Sequence, residues 1–299
     1  KIISMQGGEL CLFENIRFFP GEEKNDQNFS KDIAKNFDAY VNDAFSVSHR
    51  NHASVVGVTN FLPSFAGYSL INEIENIDSF VKSPKKPNLA IIGGSKISTK
   101  IELLYNLIKI CDKIVIGGAM ANTFLYANNI DIKNSLCEKN ISKVALSIIA
   151  ESKKNNCEII LPVDVVCADN VNDNINITNC NINNIPPNQM ILDLGDKTIS
   201  IISKHILQSR MILWNGPLGA FEYKPFEKSS VVIANVIKKN VNKLKISTIA
   251  GGGDTISAIK KAKAESGFSY ISKAGGAFLE WLEGKESPGV LSLKKNKIN

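Results

Sequence analysis

Four short apolar stretches of the chain each end in glycine. They are LAIIGGSK (89–96), KIVIGGAM (113–120), MILWNGPLG (211–219) and STIAGGGD (247–254). Short runs rich in Ile and Val and bounded by glycine are typical of strands buried on both faces of a parallel sheet. The pattern therefore predicts four parallel strands.

A helix is predicted directly after the first of these strands. Apolar residues there recur at positions i, i+3, i+4 and i+7, namely Leu104, Leu107, Ile108 and Cys111. Ser98 and Thr99 stand where an N-cap residue is expected. The helix is therefore predicted to begin near Lys100.

A second helix is predicted after the fourth strand. Ile256 and Ile259 begin an apolar stripe after Gly253, and Gly267 marks the expected end of the helix. Strand, glycine turn and helix in repetition indicate an α/β doubly wound fold with a parallel sheet flanked by helices.

The four glycine turns are expected to meet in space. Parallel strands bring their carboxyl ends to one edge of the sheet, and ligands bind in the crevice outside that edge. The alternative is that the glycines only make room for tight turns between strand and helix. Four such turns at equivalent strand ends favour a ligand crevice over this alternative.

A phosphate group is the ligand that the first helix start suits best. Free amides and the positive end of the helix dipole attract anions, and Lys96 and Lys100 flank the expected N-terminus. The alternative is that both are solvated helix lysines. The spacing matches neither G-x-G-x-x-G nor G-x-x-x-x-G-K-[ST], so another motif set must be responsible.

Residues 1–65 lack the strand-and-glycine pattern and contain candidate anion ligands. Arg17 lies in the apolar context ENIRFF, and Arg50 lies between His49 and His52. An arginine in apolar surroundings needs an anionic partner, because an unpaired buried charge is costly. The alternative is a polar surface loop. A metal site or a Ser-His-Asp triad is poorly supported by the spacing.

Two further segments have a structural interpretation. Residues 65–88 predict a connecting helix with Leu70, Ile74 and Ile77 on one face, ended by SPKKP. Residues 169–190 are rich in Asn and predict a surface insertion of strand and loop, to which no chemistry is assigned.

Composition and charge narrow the class of function. The chain has 299 residues, of which 44% are hydrophobic, and a net charge of +6 that suits anionic partners. Its basic residues are scattered, so no nucleic-acid partner is expected. The six cysteines form no C-x-x-C pair, and no apolar run has membrane-spanning length. A cytoplasmic protein without a membrane partner is expected.

Eight blocks of the sequence, in order, resemble the phosphoglycerate kinase family. They are LFENIRFFPGEEKND, YVNDAFSVSHRNHAS, IIGGSKISTKIELL, IGGAMANTFL, LPVDVVCAD, LWNGPLGAFE, GGGDTISAIKKA and LEGKESPGV. The resemblance implies two domains joined by a hinge. The expected parts are an N-terminal domain at 1–64, an interdomain helix at 65–84, a nucleotide-binding domain at 85–284, and a tail at 285–299 that returns to the N-terminal domain.

The resemblance also implies the activity and the ligands. A member of this family transfers a phosphoryl group reversibly between ATP and the carboxylate of 3-phosphoglycerate, which gives ADP and 1,3-bisphosphoglycerate in glycolysis. Mg²⁺ accompanies the nucleotide, and the protein is expected to be a monomer.

Site residues follow from matching positions in the blocks. Arg17 and Arg50 correspond to substrate ligands, and Lys100, Gly252 and Gly253 to catalytic positions. Asp254 corresponds to the metal ligand, and Glu222 to a contact with the ribose. The resemblance implies that the nucleotide contacts Gly94, Ser95, Lys96, Lys100, Gly117, Gly118, Asn215, Pro217, Glu222, Gly252, Gly253, Asp254 and Thr255.

The chain also differs from the family pattern. Ala119, Lys273 and Ala274 stand where glycine, threonine and glycine are usual. Family members carry a further segment ahead of Lys1, with an Asp-x-Asn motif, a catalytic arginine and a His-Leu-Gly-Arg-Pro motif. The N-terminal domain of the chain as given is therefore expected to be incomplete.

Two hypotheses about function follow. The chain is a phosphoglycerate kinase, or it is a start-truncated, catalytically inactive remnant that retains nucleotide binding at most. The second hypothesis predicts little or no turnover. A nicotinamide-dependent dehydrogenase is disfavoured, because the dinucleotide fingerprint is absent from the sequence.

Overall fold

The computed structural model describes residues 4–172 and 176–295. Residue contacts divide the chain into two compact units. Unit 1 comprises Lys1–Glu75 and Gly276–Asn299, and unit 2 comprises Asn76–Gly275.

The described residues contain strands of three to five residues. They are β1 (Tyr40–Asn42), β2 (Ser64–Ala66), β3 (Asn88–Ile92), β4 (Lys113–Ile116), β5 (Glu158–Ile160), β6 (Asp164–Ala168), β7 (Thr178–Asn181), β8 (Met190–Leu194), β9 (Met211–Asn215), β10 (Ser247–Gly251) and β11 (Tyr270–Ser272).

The α-helices of the described residues range from one turn to almost five. They are α1 (Pro20–Glu23), α2 (Gln27–Ala34), α3 (Phe45–Ser48), α4 (Tyr68–Val81), α5 (Ile101–Ile110), α6 (Ala119–Ala127), α7 (Ser142–Lys154), α8 (Asp196–Gln208), α9 (Lys228–Leu244), α10 (Gly253–Lys261), α11 (Gly276–Leu282) and α12 (Pro288–Lys295).

Unit 2 is built on a six-stranded parallel sheet with the order β11-β10-β9-β3-β4-β5. Every residue of the central strands β3 and β9 is buried, which is why both are continuous apolar runs in the sequence. Trp214 of β9 lies in the core and packs against Phe268 with ring centroids 6.1 Å apart. The four strands predicted from the sequence are confirmed as β3, β4, β9 and β10.

The predicted helix boundaries need two corrections. Helix α5 has Lys100 at its N-cap without a side-chain cap, and the Ser98 hydroxyl instead donates to Glu138 at 2.6 Å. Helix α10 ends at Lys261 rather than at Gly267. Lys263 takes up the left-handed conformation after it, with φ of 50°, so the chain turns before the glycine is reached.

A second, antiparallel sheet in unit 2 has the order β7-β6-β8. It contains the Asn-rich segment, and the described part of that segment is strand and loop as predicted. Val165, Cys167 and Ile185 form a small core on this sheet.

Unit 1 contains the parallel pair β1-β2 and packs helices α11 and α12 against α3. Trp281 of α11 meets Phe45 of α3 edge to face, with ring centroids 5.6 Å apart. Residues 276–284 thus group with unit 1, whereas the sequence placed the domain boundary at 284. None of the helices in the described ranges is long and apolar enough to cross a membrane.

Candidate functional site at the edge of the parallel sheet

Lys100 lies at the point where strands β3 and β9 end. Its ammonium donates to the carbonyl of Gly93 at 2.8 Å and to two oxygens of Asn215, the side-chain Oδ1 at 2.5 Å and the carbonyl at 3.2 Å. The register of the sheet pairs Ile92 with Asn215, so the residues after both strands must meet. The sheet therefore fixes the position of one positive charge at its carboxyl edge.

Burial lowers the pKa of Lys100 to about 8, and the negative charge of Asp254 opposes this shift. A desolvated ammonium loses more hydration than the carbonyl groups replace, which favours the neutral amine. The Lys100 ammonium is therefore easier to deprotonate than a surface lysine, and an anion at this edge would stabilise its charged form.

The start of α10 is joined to β9 by two hydrogen bonds. The Asn215 amide donates to the carbonyl of Gly251 at 2.7 Å, and the Gly216 N–H donates to the hydroxyl of Thr255 at 2.6 Å. Gly252 is the N-cap of α10 and has φ of 98°, a conformation that glycine adopts without strain. The GGGDT segment is thus held against the edge that carries Lys100.

The glycine turns after β3, β4 and β9 are in direct contact. The Gly94 N–H donates to the carbonyl of Pro217 at 3.0 Å, and the Gly118 N–H donates to that of Leu218 at 2.8 Å. A Cβ atom on Gly118 would lie 2.5 Å from the Gly94 carbonyl oxygen, so no larger residue fits without displacing backbone. The expectation that these turns converge is confirmed.

A cavity of about 260 Å³ opens beside these turns. Six of the predicted nucleotide ligands line it, namely Gly94, Ser95, Gly118, Pro217, Glu222 and Asp254. Much of the remaining wall is apolar and includes Leu136, Pro162, Val171, Met190, Leu192 and Leu218. The cavity thus combines a polar rim with an apolar interior, as pockets for small ligands usually do.

Other predicted residues lie outside the cavity wall. Lys96 is exposed and does not line the cavity. Gly117 packs behind the wall, where an added Cβ would lie 2.3 Å from Leu218 Cδ2. Gly253 has open space around the position of a Cβ, which leaves its backbone accessible.

The lining residues that were missed from the sequence include Val171, Met190, Asn122 and Asp193. Val171 and Met190 belong to the segment to which no chemistry was assigned, and they form part of the apolar wall. Asn122 follows the second glycine turn, so its position after a strand end was the signal that could have found it. Asp193 lies in MILDL, an ordinary strand sequence that carries no signal of a functional residue.

Asp193 is a buried residue of the cavity wall. It accepts hydrogen bonds from the Ser229 N–H at 3.0 Å and from the Ser229 hydroxyl. Burial raises its pKa to about 7, although the hydrogen bonds from Ser229 act in the opposite direction. A Cβ on Gly219 would lie 2.2 Å from an Asp193 oxygen, so this carboxyl group supports the Pro217–Glu222 loop.

The two predicted substrate ligands belong to unit 1. Arg17 is exposed in the 3-10 helix Ile16–Phe18. Its main-chain N–H donates to the side-chain oxygen of Asn15. The Nε atom of Arg50 is buried without a hydrogen-bond partner in the described residues, as is Nδ1 of its neighbour His49. A buried guanidinium donor without an acceptor is costly, which points to an anionic ligand at Arg50.

The exposed carboxylate of Asp254 at the start of α10 is a candidate ligand for a metal ion. Residues 4–172 and 176–295 contain no group of three or more His, Cys, Asp or Glu that could hold a metal ion. Mg²⁺ is commonly bound by one or two carboxylates together with phosphate oxygens and water. The carboxylate of Asp254 therefore suits a magnesium ion that arrives with a phosphate ligand.

Comparison with known proteins adds a family match. The family model described as Phosphoglycerate kinase matches residues 1–285. The phosphoglycerate kinase of Chelativorans sp. (strain BNC1) is 45% identical over 291 residues, which is 97% of this chain and 73% of the relative. That of Mesorhizobium japonicum is 46% identical over 294 residues, or 98% of this chain and 74% of the relative.

Solved structures give the same result. The phosphoglycerate kinase structure from Coxiella burnetii matches with a TM-score of 0.89 and 39% identity, covering 94% of this chain and 72% of its own. The crystal structure from Pyrococcus horikoshii OT3 matches with a TM-score of 0.83 and 26% identity, covering 98% of this chain and 74% of its own.

Proposed function

The chain belongs to the phosphoglycerate kinase family. From this premise we propose which role each site residue has in the family's reaction. In that reaction a carboxylate oxygen of 3-phosphoglycerate forms a bond to the γ-phosphorus of ATP. The bond from that phosphorus to the bridging oxygen breaks, and ADP leaves. No proton is transferred, so positioning and charge neutralisation are what the protein must provide.

The nucleotide lies along the carboxyl edge of the parallel sheet. Its phosphates lie over the start of α10, at Gly252, Gly253 and Thr255. Glu222 contacts the ribose, and the base enters the apolar cavity beyond Gly94 and Gly118. The support for this placement is that the cavity begins beside the turn of α10, since Asp254 lies in its wall.

Lys100 neutralises charge on the transferring phosphoryl group. Asn215 holds its ammonium at 2.5 Å, and the carbonyl of Gly93 holds it at 2.8 Å, so the charge needs little reorganisation during the reaction. Asn215 acts as a positioning residue, and Pro217 shapes the neighbouring turn. Ser95, Lys96 and Gly117 complete the wall of the nucleotide cleft.

Asp254 would hold the magnesium ion that accompanies the nucleotide. When bound, the ion neutralises phosphate charge and orients the phosphates. Asp254 is exposed and lines the cavity, and its negative charge acts on Lys100, which supports a role for both residues at one ligand.

Arg17 and Arg50 bind the anionic groups of 3-phosphoglycerate. The unpartnered Nε of Arg50 supports this role, because a carboxylate or phosphate would supply the missing acceptor. A cytoplasmic monomer is also part of the proposal, and sedimentation of the purified chain tests the monomeric state.

The observation that carries the proposal is the half-buried ammonium of Lys100, fixed between two strand ends and within electrostatic reach of Asp254, which lines the cavity. A coupled assay with ATP and 3-phosphoglycerate tests the activity, and turnover supports phosphoryl transfer by this chain. Nucleotide binding without turnover would favour the inactive remnant instead.

Calorimetry with Mg-ADP tests the site independently of turnover. Replacing both Lys100 and Asp254 with alanine should abolish measurable binding, because the phosphates lose their fixed charge and their metal ligand. Unchanged affinity in this double variant would refute the site.

A further inference from the structure

The loop after β9 is hydrogen-bonded to helix α10 near both of its ends. At the start of the loop, the Gly216 N–H donates to the hydroxyl of Thr255 in the first turn of α10, at 2.6 Å. Near its end, the ammonium of Lys261 donates to the carbonyl of Phe221 at 2.8 Å. Lys261 is the last residue of α10, so one helix holds both parts of the loop.

The bond from Lys261 acts on the peptide group that carries Glu222. The carbonyl of Phe221 and the main-chain nitrogen of Glu222 belong to one planar unit, so a hydrogen bond to the oxygen orients the whole unit. The Phe221 side chain is buried, whereas Glu222 is exposed and lines the cavity. Lys261 therefore helps to set the direction in which Glu222 leaves the loop.

The neighbouring Lys260 shows that this contact is particular to Lys261. Both lysines are exposed and lie in the last turn of α10. Within the part of the chain that the structure describes, Lys260 forms no ion pair and its ammonium no hydrogen bond, whereas the bond from Lys261 is partly buried. Fixing a long lysine side chain costs conformational entropy, so the ordered contact distinguishes Lys261 from a solvated helix lysine.

Helix α10 thereby connects two parts of the proposed nucleotide site. Its first turn, which contains Gly253 and Thr255, is the proposed position of the phosphates. Lys261 lies six residues beyond Thr255, which is about 9 Å along the helix axis. Side chains of a helix point back toward its N-terminus, so the Lys261 side chain extends toward the first turn. A rigid element therefore sets the separation between the phosphate position and Glu222.

We propose that Lys261 is a positioning residue that holds Glu222 where its carboxylate meets a ribose hydroxyl, and that it thereby supports selection of ribonucleotides over deoxyribonucleotides. Lys261 acts through the Phe221 carbonyl and does not touch the nucleotide. A carboxylate accepts strongly from a hydroxyl only at a correct distance and angle, so a loop that is free to move loses selectivity. The inference rests on the contact between Glu222 and the ribose proposed above.

Calorimetry with the magnesium complexes of ADP, 2′-deoxy-ADP and 3′-deoxy-ADP tests this role. The unmodified chain should bind ADP about tenfold more tightly than the deoxy form that lacks the donor to Glu222. Lys261→Met should lower this ratio about threefold or more, because the loop loses one anchor. Inorganic diphosphate has no ribose, so its affinity should stay unchanged, whereas general damage to the site would weaken it too.

Matched variants separate positioning from charge. Lys260→Met removes the same charge from the same turn and should leave the ratio unchanged. Lys261→Arg keeps a donor for the Phe221 carbonyl and should retain most of the selectivity. In a Glu222→Ala background, Lys261→Met should have no further effect on the ratio, since Lys261 acts only through Glu222.

Four results would overturn the inference. They are equal affinity of the unmodified chain for ADP and both deoxy forms, an unchanged ratio in Lys261→Met, an equal loss in Lys260→Met, and a full effect of Lys261→Met in the Glu222→Ala background. Failure of the proposed function looks different. If ADP did not bind, or if Glu222→Ala left a clear ADP preference intact, the nucleotide site or its ribose contact would be wrong, and the role of Lys261 with it.

Discussion

At the scale of single residues, Lys96 and Lys100 show how position decides the role of a lysine. Both flank the start of α5, and the sequence assigned both to phosphate binding. The Lys100 ammonium is held at the sheet edge by hydrogen bonds to Gly93 and Asn215, whereas Lys96 is exposed. Only a buried, fixed ammonium offers strong stabilisation of a developing phosphate charge, because solvent screens an exposed one.

Lys100→Met should weaken binding of Mg-ATP by roughly 10- to 100-fold, since a charge-assisted hydrogen bond to the terminal phosphate is lost. AMP lacks the β- and γ-phosphates, so its affinity should stay unchanged and also report that the site is folded. Titration calorimetry measures both constants. Lys109→Met, an exposed lysine of α5, is the matched control. Equal losses for ATP and AMP would argue against a specific phosphate contact.

Binding of ADP should take up a proton at alkaline pH. The pKa of Lys100 is about 8 in the free chain, so the amine is largely neutral above that pH and charged below it. Phosphate charge favours the ammonium form, so binding at pH 8.5 should be accompanied by proton uptake that is absent at pH 6.5. Calorimetry in buffers of different ionisation enthalpy measures the number of protons taken up on binding. Persistent uptake in Lys100→Met would assign the proton to another group.

At the scale of elements, two buried aspartates attach helix N-termini to the strands. Asp164 at the start of β6 accepts from the N–H groups of Lys197 and Thr198 in α8, at 2.9 and 2.7 Å. Asp193 of β8 accepts from Ser229 at the start of α9. Each carboxyl group satisfies amides that the first turn of a helix cannot pair internally, so both helices are held at fixed angles to the sheet.

Asp193 should make stability depend on pH. Its pKa is about 7 in the folded chain, against 3.8 for an ordinary aspartate. Between these values the folded carboxyl keeps its proton while the unfolded one has lost it, so the contribution to stability is full below pH 4 and is lost as pH rises through 7. Urea unfolding at several pH values should show that the difference between the unmodified chain and Asp193→Asn falls over this range.

Asp196→Asn supplies the comparison for this experiment. Asp196 is an exposed carboxylate at the start of α8, and it forms an ion pair with Lys228 at the start of α9. A pH dependence that is the same in Asp193→Asn as in the unmodified chain would mean that another group is responsible.

At the scale of the whole molecule, the two units differ in how much apolar surface they bury. Unit 2 has a continuous core around Leu89, Ile91 and Trp214. In unit 1, Phe18, Phe65 and other large apolar side chains are exposed. Burial of apolar area is the main stabilising term in folding, so unit 1 is expected to be the less stable of the two.

Unfolding should therefore occur in two transitions, with unit 1 first. Each unit contains one of the two tryptophans, Trp281 in unit 1 and Trp214 in unit 2. In Trp281→Phe, fluorescence reports unit 2 and should change at a higher urea concentration than the first transition seen by circular dichroism. In Trp214→Phe, fluorescence should follow the earlier transition. Coincident transitions in all three proteins would show that the chain unfolds as one cooperative unit.

Much of the fold could be predicted because it depends on local patterns. Four apolar runs identified β3, β4, β9 and β10, since a strand buried on both faces must be apolar throughout. Boundaries were less accurate, because helix ends depend on contacts from distant residues. The Ser98 hydroxyl donates to Glu138 instead of capping α5, and no local sequence pattern predicts this contact.

The sequence by itself determined the parallel sheet, the edge at which its glycine turns meet, and the candidate roles of Lys100 and the GGGDT segment. Only the tertiary structure decided that the Lys100 ammonium is held between Gly93 and Asn215, and that Asn122 faces a cavity. The physical reason is that strand type follows from periodicity along the chain. The direction, partner and charge state of a polar side chain are instead set by neighbours that are distant in sequence and are brought together by packing.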